Sequence, residues 1–455
     1  MAKQKYDYDL VVLGSGGGGS VAAHLAAKAG KRVAIVEAGS LGGECPNFGC
    51  VPTKALLQAA WLYDAAKHGQ PFGIRSAAVG YNYPSIKAWK DTAVKNTGVA
   101  DSRSYHESAG VRVLGGAAHF IGPHQVSVER RHVSAANFLV ATGSYWHIPD
   151  IQGLDKAGFL TPREAINLLR PPKSLFIVGS GASGCEFAEL FSAFGSKIYL
   201  ADVAPRVLPR EDQEVSRTVE EIFSRQRGMT ILGSSKVLKV SREGALKKVV
   251  FQRGGHEQAV KVEEILIAAG RLPNTDIGLE NAGVDYSPAG INVNQYLQTS
   301  ARHIYAAGDV IGGYMLTHVA TYESRVAAHN LIHREKRSPD YRAVPRVTFL
   351  NPEVASVGAS EEDCLRRDMA VRTALAPVSI IGRSNTSNFR EGFVKVIADK
   401  SGRLIGASVV CPRAGEIIHE LTLAIQYDLL ASEVASTLHA FPTWSEAVRI
   451  ACSKI

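Results

Sequence analysis

The sequence predicts an α/β protein with two Rossmann-like units and a C-terminal α+β domain. Two glycine-rich segments each follow a short apolar strand and precede a helix of small residues, which is typical of sheets that bind a dinucleotide. The two segments align without a gap when one is shifted by 165 residues. The last hundred or so residues lack this pattern and alternate strands with one long apolar helix. At 455 residues with 45% apolar content, the chain is long enough for about three domains of ordinary size.

The first glycine-rich segment begins after the apolar run YDLVVL at residues 8–13. Gly14, Gly16 and Gly19 have the G-x-G-x-x-G spacing, and they precede the helix VAAHLAAKAG and a second strand, RVAIVE, that ends in Glu37. The glycines permit a tight turn and a close approach of backbone N–H groups to a pyrophosphate, while the acid accepts a ribose hydroxyl. A helix start that simply needs glycine is the alternative interpretation. The full order of strand, glycines, helix, strand and acid favours a dinucleotide site.

The second segment repeats the first. Adding 165 to each residue number places the three glycines Gly14, Gly16 and Gly19 on Gly179, Gly181 and Gly184. The same shift places Glu37 on another acid, Asp202. Two dinucleotide sites are therefore predicted in one chain. A flavin and a hydride carrier are the natural pair of ligands, because one delivers two electrons and the other can pass them on.

Two cysteines, Cys45 and Cys50, lie in the segment GGECPNFGCVPTK, directly before a helix-forming run. An ideal helix would hold Cα atoms at that spacing about 8 to 9 Å apart, whereas a disulfide requires roughly 4.4 to 6.8 Å. The segment must therefore bend if the cysteines are bonded, and Gly49 and Pro52 favour a bend. A redox-active pair is the preferred interpretation, and half of a zinc site or bystander thiols are the alternatives.

The rest of the chain places further candidates near these segments. After a polar, β-rich stretch, ILIAAGRLPNT predicts another strand, and HIYAAGDV predicts a short strand that returns to the first sheet and is followed by Asp309. The run LTHVATYESRVAAHNLI predicts a helix with Thr317 as its cap and His318 in its first turn. The start of such a helix favours negative charge, for example on a flavin.

Composition limits the other classes of function. The formal net charge is +8, but the basic residues are spread along the chain apart from Arg334, Lys336 and Arg337, which we interpret as a solvated linker. No nucleic-acid partner, metal site or membrane span is expected, and the polar start MAKQKYDYDL predicts no secretory signal, so a cytoplasmic location is expected. The cysteines outside the pair are expected to be inert buried thiols: Cys185, Cys364, Cys411 and Cys452.

The cysteine segment, the two glycine-rich segments, which we call fingerprints, and the motifs ATGS, AAGRLPN and AAGD occur in a characteristic order. With these motifs, the chain resembles the class I pyridine nucleotide-disulfide oxidoreductases over essentially its whole length. That family includes dihydrolipoamide dehydrogenase, glutathione reductase and mercuric reductase. The resemblance implies FAD at the first fingerprint, NAD(P)H at the second, and a homodimer in which the third domain of one subunit covers the cysteines of the other. The implied FAD-binding domain has two parts, 1–150 and 271–341. The implied NAD(P)-binding domain spans 151–270, and the implied dimerisation domain spans 342–455.

The resemblance also implies individual roles. Cys45 matches the interchange thiol that meets the substrate, Cys50 matches the thiol against the flavin, and Lys54 with Glu186 matches an ion pair beside the flavin. A surface lysine and a solvated acid are the alternative for that pair. The implied FAD residues are Gly14, Gly16, Gly19, Glu37, Gly43, Lys54, Ala118, Thr142, Gly143, Asp309, Thr317 and His318. The implied NAD(P) residues are Gly179, Gly181, Gly184, Asp202 and Gly270, and Asp202 favours NADH because it would repel a 2′-phosphate.

The C-terminal tail departs from the family pattern. Members that reduce disulfides have HPTxxE, in which the histidine protonates the leaving thiol and the glutamate orients it. Here the tail is HAFPTWSE, so Phe441 occupies the histidine's position, Glu446 is kept and His439 lies two residues early. A slip that brings His439 into place is the alternative. Mercuric reductases also lack the histidine, although many of them have paired C-terminal cysteines, whereas Cys452 stands alone here.

These observations predict an NAD(P)H-dependent flavoprotein oxidoreductase whose acceptor needs no histidine acid, such as Hg(II), a quinone or oxygen. An ordinary disulfide reductase or dihydrolipoamide dehydrogenase with a substitute acid is one alternative. A second is an enzyme like 2-ketopropyl-coenzyme M oxidoreductase/carboxylase, which also has phenylalanine at this position but departs at the glutamate. A third is a redox-sensing flavoprotein with little turnover.

Overall fold

The computed structural model describes residues 5–75, 78–98 and 102–455. Two compact units make up the chain. The first comprises Met1–Thr53, Ala88–His147 and Gly270–Pro339. The second comprises Lys54–Lys87, Ile148–Ala269 and Asp340–Ile455.

Up to residue 147, the chain alternates strands and helices at first and then forms consecutive strands. The strands are β1 (Tyr8–Leu13), β2 (Val33–Glu37), β3 (Val111–Gly115), β4 (Ala118–Gly122), β5 (Gln125–Val128), β6 (Arg131–Val140) and β7 (Ser144–Trp146). The helices are α1 (Ser20–Lys28), α2 (Glu44–Asn47), α3 (Cys50–Lys67), α4 (Tyr83–Gly98) and α5 (Arg103–Ser108). Helix α3 begins in the first unit and continues into the second.

The stretch from 148 to 269 repeats the strand and helix alternation and adds the predicted β-rich segment. Its strands are β8 (Ser174–Val178), β9 (Lys197–Ala201), β10 (Thr230–Leu232), β11 (Ser235–Glu243), β12 (Leu246–Arg253), β13 (His256–Val262) and β14 (Glu264–Ile267). Its α-helices are α6 (Leu154–Ala157), α7 (Pro162–Ala165), α8 (Ala182–Ala193) and α9 (Gln213–Glu221). A π-helical turn, Ile222–Gln226, follows α9.

The remaining elements return the chain to the first unit and then form the C-terminal part of the second. From 270 to 339 they are β15 (Arg271–Pro273), β16 (Tyr286–Ser287), β17 (Gly290–Ile291), β18 (Ile304–Ala306) and α10 (Thr317–Ile332). The strands after 340 are β19 (Pro345–Thr348), β20 (Glu353–Gly358), β21 (Arg372–Pro377), β22 (Phe393–Ala398) and β23 (Leu404–Cys411). The helices after 340 are α11 (Glu361–Arg366), α12 (Gly382–Ser387), α13 (Ala414–Gln426), α14 (Ala431–Ser436) and α15 (Glu446–Cys452).

The main sheet of the first unit has the order β3-β2-β1-β6-β5-β4, and β18 also pairs with β6 as predicted. Strands β1, β2, β3, β6 and β18 are parallel, and Leu13 aligns with both Val36 and Val140. The residues after these strands therefore meet at one carboxyl edge, where parallel sheets bind their ligands. Strand β1 is buried on both faces, which fits the interior of a parallel sheet.

The parallel sheet of the second unit has the order β10-β9-β8-β14. Val178 aligns with Ala201 and with Ile267, so its carboxyl edge corresponds to that of the first sheet. Strands β11 to β13 form an antiparallel sheet, and the C-terminal strands form another in the order β19-β20-β23-β22-β21, on which α13 packs. The fold class predicted from the sequence is confirmed.

One predicted helix boundary is wrong by one residue. Leu316 is the N-cap of α10, with extended dihedral angles of φ −121° and ψ 135°, and Thr317 is the first helical residue. His318 lies in the first turn, as predicted. The N-cap residue Leu316 makes no side-chain capping bond, and the Thr317 hydroxyl group lies against the cysteine thiols.

Candidate functional site

The first glycine fingerprint is required in part by packing within the protein. Gly14 has φ +102°, and a Cβ there would lie 2.3 Å from the carbonyl oxygen of Ala141. A Cβ on Gly19 would lie 2.0 Å from the carbonyl oxygen of Gly14. At Gly16, by contrast, the nearest atoms would be 3.8 Å away. Packing therefore explains the outer two glycines, and the middle one leaves the backbone open to a ligand.

The second fingerprint has the same arrangement. Gly179 has φ +105°, and its Cβ would lie 2.4 Å from the carbonyl oxygen of Ala268, while a Cβ on Gly184 would lie 1.9 Å from that of Gly179. A Cβ on Gly181 would meet no atom within 4 Å. Both middle glycines thus keep the start of a helix accessible, which is what a bound pyrophosphate requires. The residues present fit two dinucleotides.

The two strand-terminal acids also have matching partners. Glu37 accepts hydrogen bonds from the backbone N–H (2.8 Å) and the hydroxyl (2.7 Å) of Ser15, and from the N–H of Gly39 (2.8 Å). Asp202 accepts from the N–H (2.6 Å) and hydroxyl (2.9 Å) of the serine at the equivalent position, Ser180, and from the N–H of Ala204 (2.9 Å). A carboxylate has about four acceptor positions, so each acid keeps capacity for a ribose hydroxyl.

The cysteine segment bends as predicted. Cys45 lies in α2 and Cys50 begins α3, and the N–H groups of Phe48 and Gly49 both donate to the carbonyl oxygen of Glu44 at 2.8 Å. Both cysteines are present as thiols, with Cys45 partly buried and Cys50 exposed. The Cys50 thiol hydrogen-bonds to Cys45 and, together with burial, raises the pKa of the Cys45 thiol. The bend therefore brings the two thiols within hydrogen-bonding distance of each other.

Thr317 contacts this thiol pair from helix α10. Its Oγ1 atom lies 3.8 Å from Cys50 Sγ, and its hydroxyl also hydrogen-bonds to the Cys45 thiol and lowers the pKa of that thiol. Thr317 is the first residue of a helix that runs to Ile332, and a helix N-terminus favours negative charge. The Thr317 hydroxyl and the helix N-terminus thus favour a thiolate, whereas burial and the hydrogen bond between the two cysteines disfavour it.

Lys54 and Glu186 form the predicted ion pair. Lys54 Nζ lies 2.9 Å from Glu186 Oε1 and 2.8 Å from Oε2. The Glu186 side chain is 6% exposed and also accepts a hydrogen bond of 3.0 Å from the N–H of Phe349. Lys54 Nζ lies 4.7 Å from the centroid of the Phe349 ring. The two charges are therefore held by α3, by α8 and by the end of β19.

Asp309 belongs to a second polar network, in the first unit. Ser144 donates from Oγ to Asp309 Oδ2 at 2.6 Å and accepts from Arg271 Nε at 2.7 Å. Arg271 Nη1 lies 3.4 Å from Glu44 Oε1, and its guanidinium carbon lies 4.6 Å from the centroid of the Trp146 ring. Asp309 is thereby connected through Ser144 and Arg271 to the residue that precedes Cys45.

The other predicted cofactor residues have the following positions. Thr142 donates from Oγ1 to the carbonyl oxygen of Asn274 at 2.7 Å, and the Asn274 N–H donates to the carbonyl oxygen of Gly143 at 2.9 Å. Gly43 and Gly270 have φ values of +71° and +101°. Ala118 begins β4.

In the C-terminal tail, the exposed ring belongs to Phe441. Phe441 is 77% exposed, whereas the His439 side chain is 5% exposed. His439 Nε2 lies 2.7 Å from Glu420 Oε1, and its Nδ1 lies 2.8 Å from the carbonyl oxygen of Thr437. Glu446 accepts a hydrogen bond of 3.3 Å from the Thr443 N–H. Both ring nitrogens of His439, the histidine of the HAFPTWSE segment, are therefore already hydrogen-bonded within the chain.

The described residues 5–75, 78–98 and 102–455 contain no group of three or more histidine, cysteine or acidic side chains placed to hold a metal ion. Within these same ranges, no helix is long and apolar enough to cross a membrane.

The other four cysteines, Cys185, Cys364, Cys411 and Cys452, are buried, as predicted. Burial raises the pKa of Cys411 and of Cys452 to about 12.

Comparison with known proteins agrees with the two fingerprints and the thiol pair. Residues 8–324 match the family described as pyridine nucleotide-disulphide oxidoreductase, and residues 344–452 match its dimerisation domain. The chain belongs to the pyridine nucleotide-disulphide oxidoreductase family. This family is FAD-dependent and uses pyridine nucleotides, and the dimerisation domain indicates a homodimer. The family and the enzyme class predicted from the sequence are confirmed.

Several relatives span nearly the whole oxidoreductase. A mercuric reductase from Staphylococcus aureus is 32% identical over 448 residues, which cover 98% of this chain and 82% of the relative. A dihydrolipoyl dehydrogenase from Chlorobaculum tepidum is 36% identical over 455 residues, covering 97% and 96%. Among solved structures, the Cu(II) complex of the HOCl-induced flavoprotein disulfide reductase RclA from Escherichia coli has a TM-score of 0.87 at 29% identity and covers 100% of both chains.

Sequence reasoning missed four residues around the site of this oxidoreductase: Ser144, Arg271, Phe349 and Glu44. Ser144 and Arg271 do occur within two of the motifs, ATGS and AAGRLPN, so the motifs could have identified them. Glu44 lies in the cysteine segment itself. Phe349 contributes a backbone N–H, for which a sequence contains no signal.

Proposed function

We propose that this oxidoreductase takes two electrons from NADH and delivers them, through the Cys45 and Cys50 thiols, to an acceptor that needs no histidine acid. A soft metal ion such as Hg(II) is the leading class of acceptor, and a quinone is the next. Phe441 carries the proposal, because a phenylalanine, which has no proton to donate, occupies the position where disulfide-reducing members of the family have their histidine acid. The residues of the first unit proposed to hold FAD are the first fingerprint glycines, Glu37, Asp309 and the start of α10. FAD, when bound, supplies a two-electron carrier between the nicotinamide and the thiols.

The thiol pair matches a two-electron acceptor. When Cys45 and Cys50 form a disulfide, one S–S bond forms, two electrons leave and two protons are released. Hg(II) accepts two electrons and can bind two thiolates, so its reduction needs no proton donated to a leaving thiol. We assign Cys45 to the acceptor and Cys50 to the cofactor side. The names of the mercuric reductase relatives support Hg(II) as the acceptor.

The coenzyme is proposed to be NADH because of Asp202. Its carboxylate ends β9 in the second fingerprint and keeps acceptor capacity beyond Ser180 and Ala204. An acid at this position accepts the ribose 2′-hydroxyl of NADH and repels the 2′-phosphate of NADPH. We also propose that, in the homodimer, the C-terminal tail of each subunit covers the cysteines of the other.

A disulfide reductase is the second candidate. Glu446 is retained, and dihydrolipoyl dehydrogenases are among the relatives at up to 36% identity. This candidate requires an acid in place of the missing histidine, and His439 is poorly suited to that role because both of its nitrogens are already bonded.

The test is a set of steady-state assays on the purified holoenzyme with NADH, in which Hg(II), a quinone, lipoamide and glutathione disulfide are compared at matched concentrations. We expect Hg(II) to have the highest kcat/KM of the four. The Cys45→Ser variant is expected to lose metal turnover, and Cys452→Ser, which alters a buried thiol, serves as the matched control. If the enzyme turns over either disulfide as fast as NADH reduces its flavin, the second candidate is established instead.

A further inference from the structure

The segment 203–214, which follows Asp202 and which we call the Asp202 loop, is held by side chains from the C-terminal part of the same unit. Arg346 makes two contacts with Glu211, at 3.2 and 3.3 Å. Lys395 is 4% exposed and lies 3.5 Å from Asp212 and 3.0 Å from Glu214. The position of this loop is therefore set by residues far along the chain.

Arg206 is the cation of this loop nearest in sequence to Asp202. Its Nη2 atom lies 2.6 Å from Oε1 of Glu362 on α11 and donates to the carbonyl oxygen of Glu211 at 3.2 Å. Arg206 Nε is buried and has no hydrogen-bond partner among the described residues. One donor of the guanidinium is thus unused, and Glu362 supplies the charge that holds the group in this arrangement.

An arginine near the acid of a dinucleotide fingerprint is the usual means of accepting the 2′-phosphate of NADPH. Arg206 has the residue type for that role, but its charge is already balanced by Glu362. We propose that Glu362 is a specificity-determining residue, which keeps Arg206 from serving a 2′-phosphate and so strengthens the preference for NADH. Glu362 acts as a positioning residue, since its effect on the coenzyme is exerted through Arg206.

This inference rests on the proposed use of NADH at the second fingerprint. Removal of the Glu362 charge releases Arg206, but Asp202 stays in place and still repels a 2′-phosphate. The expected gain in preference for NADPH is therefore modest. We expect the ratio of kcat/KM for NADPH to that for NADH to rise about three- to fivefold, which corresponds to the loss of one partly exposed ion pair.

The experiment compares Glu362→Gln, Arg206→Met and the double variant in the full-length holoenzyme. Coenzyme ratios are measured in steady state, and the affinities for adenosine 2′,5′-bisphosphate and for 5′-AMP are measured by calorimetry, which is independent of turnover. Glu243→Gln is the matched control, because it removes one charge from an exposed pair with Lys261 at 2.7 Å and lies outside the Asp202 loop. Glu362→Ala, tested in parallel, provides a second form of the same change.

The expected result is that both Glu362 variants favour NADPH and the bisphosphate by the same factor, that Arg206→Met alone leaves the ratio as it is, and that the double variant loses the gain. A gain that persists in the double variant, or no gain in either Glu362 variant, would overturn the inference. Such a result leaves the proposed function intact as long as the wild-type enzyme reacts with NADH. A wild-type enzyme that reacts with neither coenzyme refutes the proposed function itself.

Discussion

Lys54 Nζ lies within 2.9 Å of both carboxylate oxygens of Glu186 and so joins helix α3 to helix α8. Helix α3 begins at Cys50, one turn before Lys54, and α8 is the helix of the second fingerprint. Glu186 is 6% exposed, and its carboxylate accepts hydrogen bonds from this lysine and from the N–H of Phe349. The ion pair is thus part of the packing of the second unit, whatever its role toward a cofactor.

Removal of Lys54 is therefore expected to be costly. Lys54→Met leaves a buried carboxylate with one hydrogen bond, and we expect a loss of about 2 to 4 kcal/mol in the free energy of unfolding. The Lys54→Met/Glu186→Gln double variant should recover part of that loss, because no unpaired charge is left. Unfolding in urea, followed by circular dichroism, measures both. As a control, Lys261→Met removes an exposed partner and should change stability little. Equal stability of Lys54→Met and Lys261→Met would contradict the argument.

A second buried acid predicts a pH dependence. Glu189, on α8, is 2% exposed and lies 3.1 Å from Arg227, and burial raises its pKa from 4.5 to about 7 although Arg227 opposes the shift. Between pH 4.5 and about 7, the unfolded chain has therefore released a proton that the folded chain still binds. Stability from this group is fully present below pH 4.5 and falls as the pH rises through about 7.

Glu189→Gln should remove this pH dependence. Relative to wild type, the variant is expected to gain on the order of 2 to 3 kcal/mol as the pH is raised across this window. The measurement is the denaturation midpoint of both proteins at several pH values. Glu263→Gln, which alters an acid whose pKa is lowered by Arg170, is the control and should show no such gain. Parallel curves for Glu189→Gln and wild type would show that Arg227 keeps Glu189 ionised throughout.

How far the sequence predicted the site depends on the distance between the residues concerned. The outer fingerprint glycines were predictable, because the close approach of Gly19 to Gly14 is a local consequence of the turn between strand and helix. The contact between Thr317 and Cys50 was not predictable, because 267 residues separate them and no periodicity records which helix end meets which thiol. The cap of α10 was misplaced by one residue, because residue type favours a threonine as the N-cap whereas the last extended residue before the helix is Leu316.

Thr317 should influence the reactivity of the thiols. Its hydroxyl lowers the pKa of the Cys45 thiol, so Thr317→Val is expected to raise that pKa. The thiolate fraction near neutral pH then falls, and alkylation of the reduced protein by iodoacetamide becomes slower. Thr317→Ser keeps the hydroxyl and is the matched control. If Val and Ser variants react at the same rate across the pH range, the hydroxyl has no effect on the thiols.

The assignment of Cys50 to the cofactor side predicts a spectral difference between the cysteines. We expect the yellow holoenzyme, reduced anaerobically with two electrons, to show a long-wavelength absorption band. Cys50→Ser should abolish the band and Cys45→Ser should keep it, because only a thiolate against the flavin produces it. Loss of the band in Cys45→Ser alone would reverse the assignment. Absence of the band from reduced wild type with flavin bound would mean that the cysteines are structural.

Phe441→His tests whether this enzyme lacks disulfide chemistry because it lacks an acid. A positioned general acid is commonly worth about a hundred- to ten-thousand-fold in rate, or roughly 3 to 5 kcal/mol of barrier. Wild type should therefore turn over glutathione disulfide and lipoamide poorly, although we expect NADH to reduce its flavin promptly. Glu446 is already present to orient an imidazole at position 441, so the variant should raise disulfide turnover measurably.

Two further variants separate the acid from other effects of the change at Phe441. Phe441→Leu alters the same exposed ring without adding an acid and should leave disulfide turnover low. His439→Gln tests the alternative acid, and it should not lower the residual turnover, because both nitrogens of His439 are bonded to Glu420 and Thr437. Rapid disulfide turnover by wild type that is lost in His439→Gln would show that the tail rearranges in the dimer to present His439 as the acid.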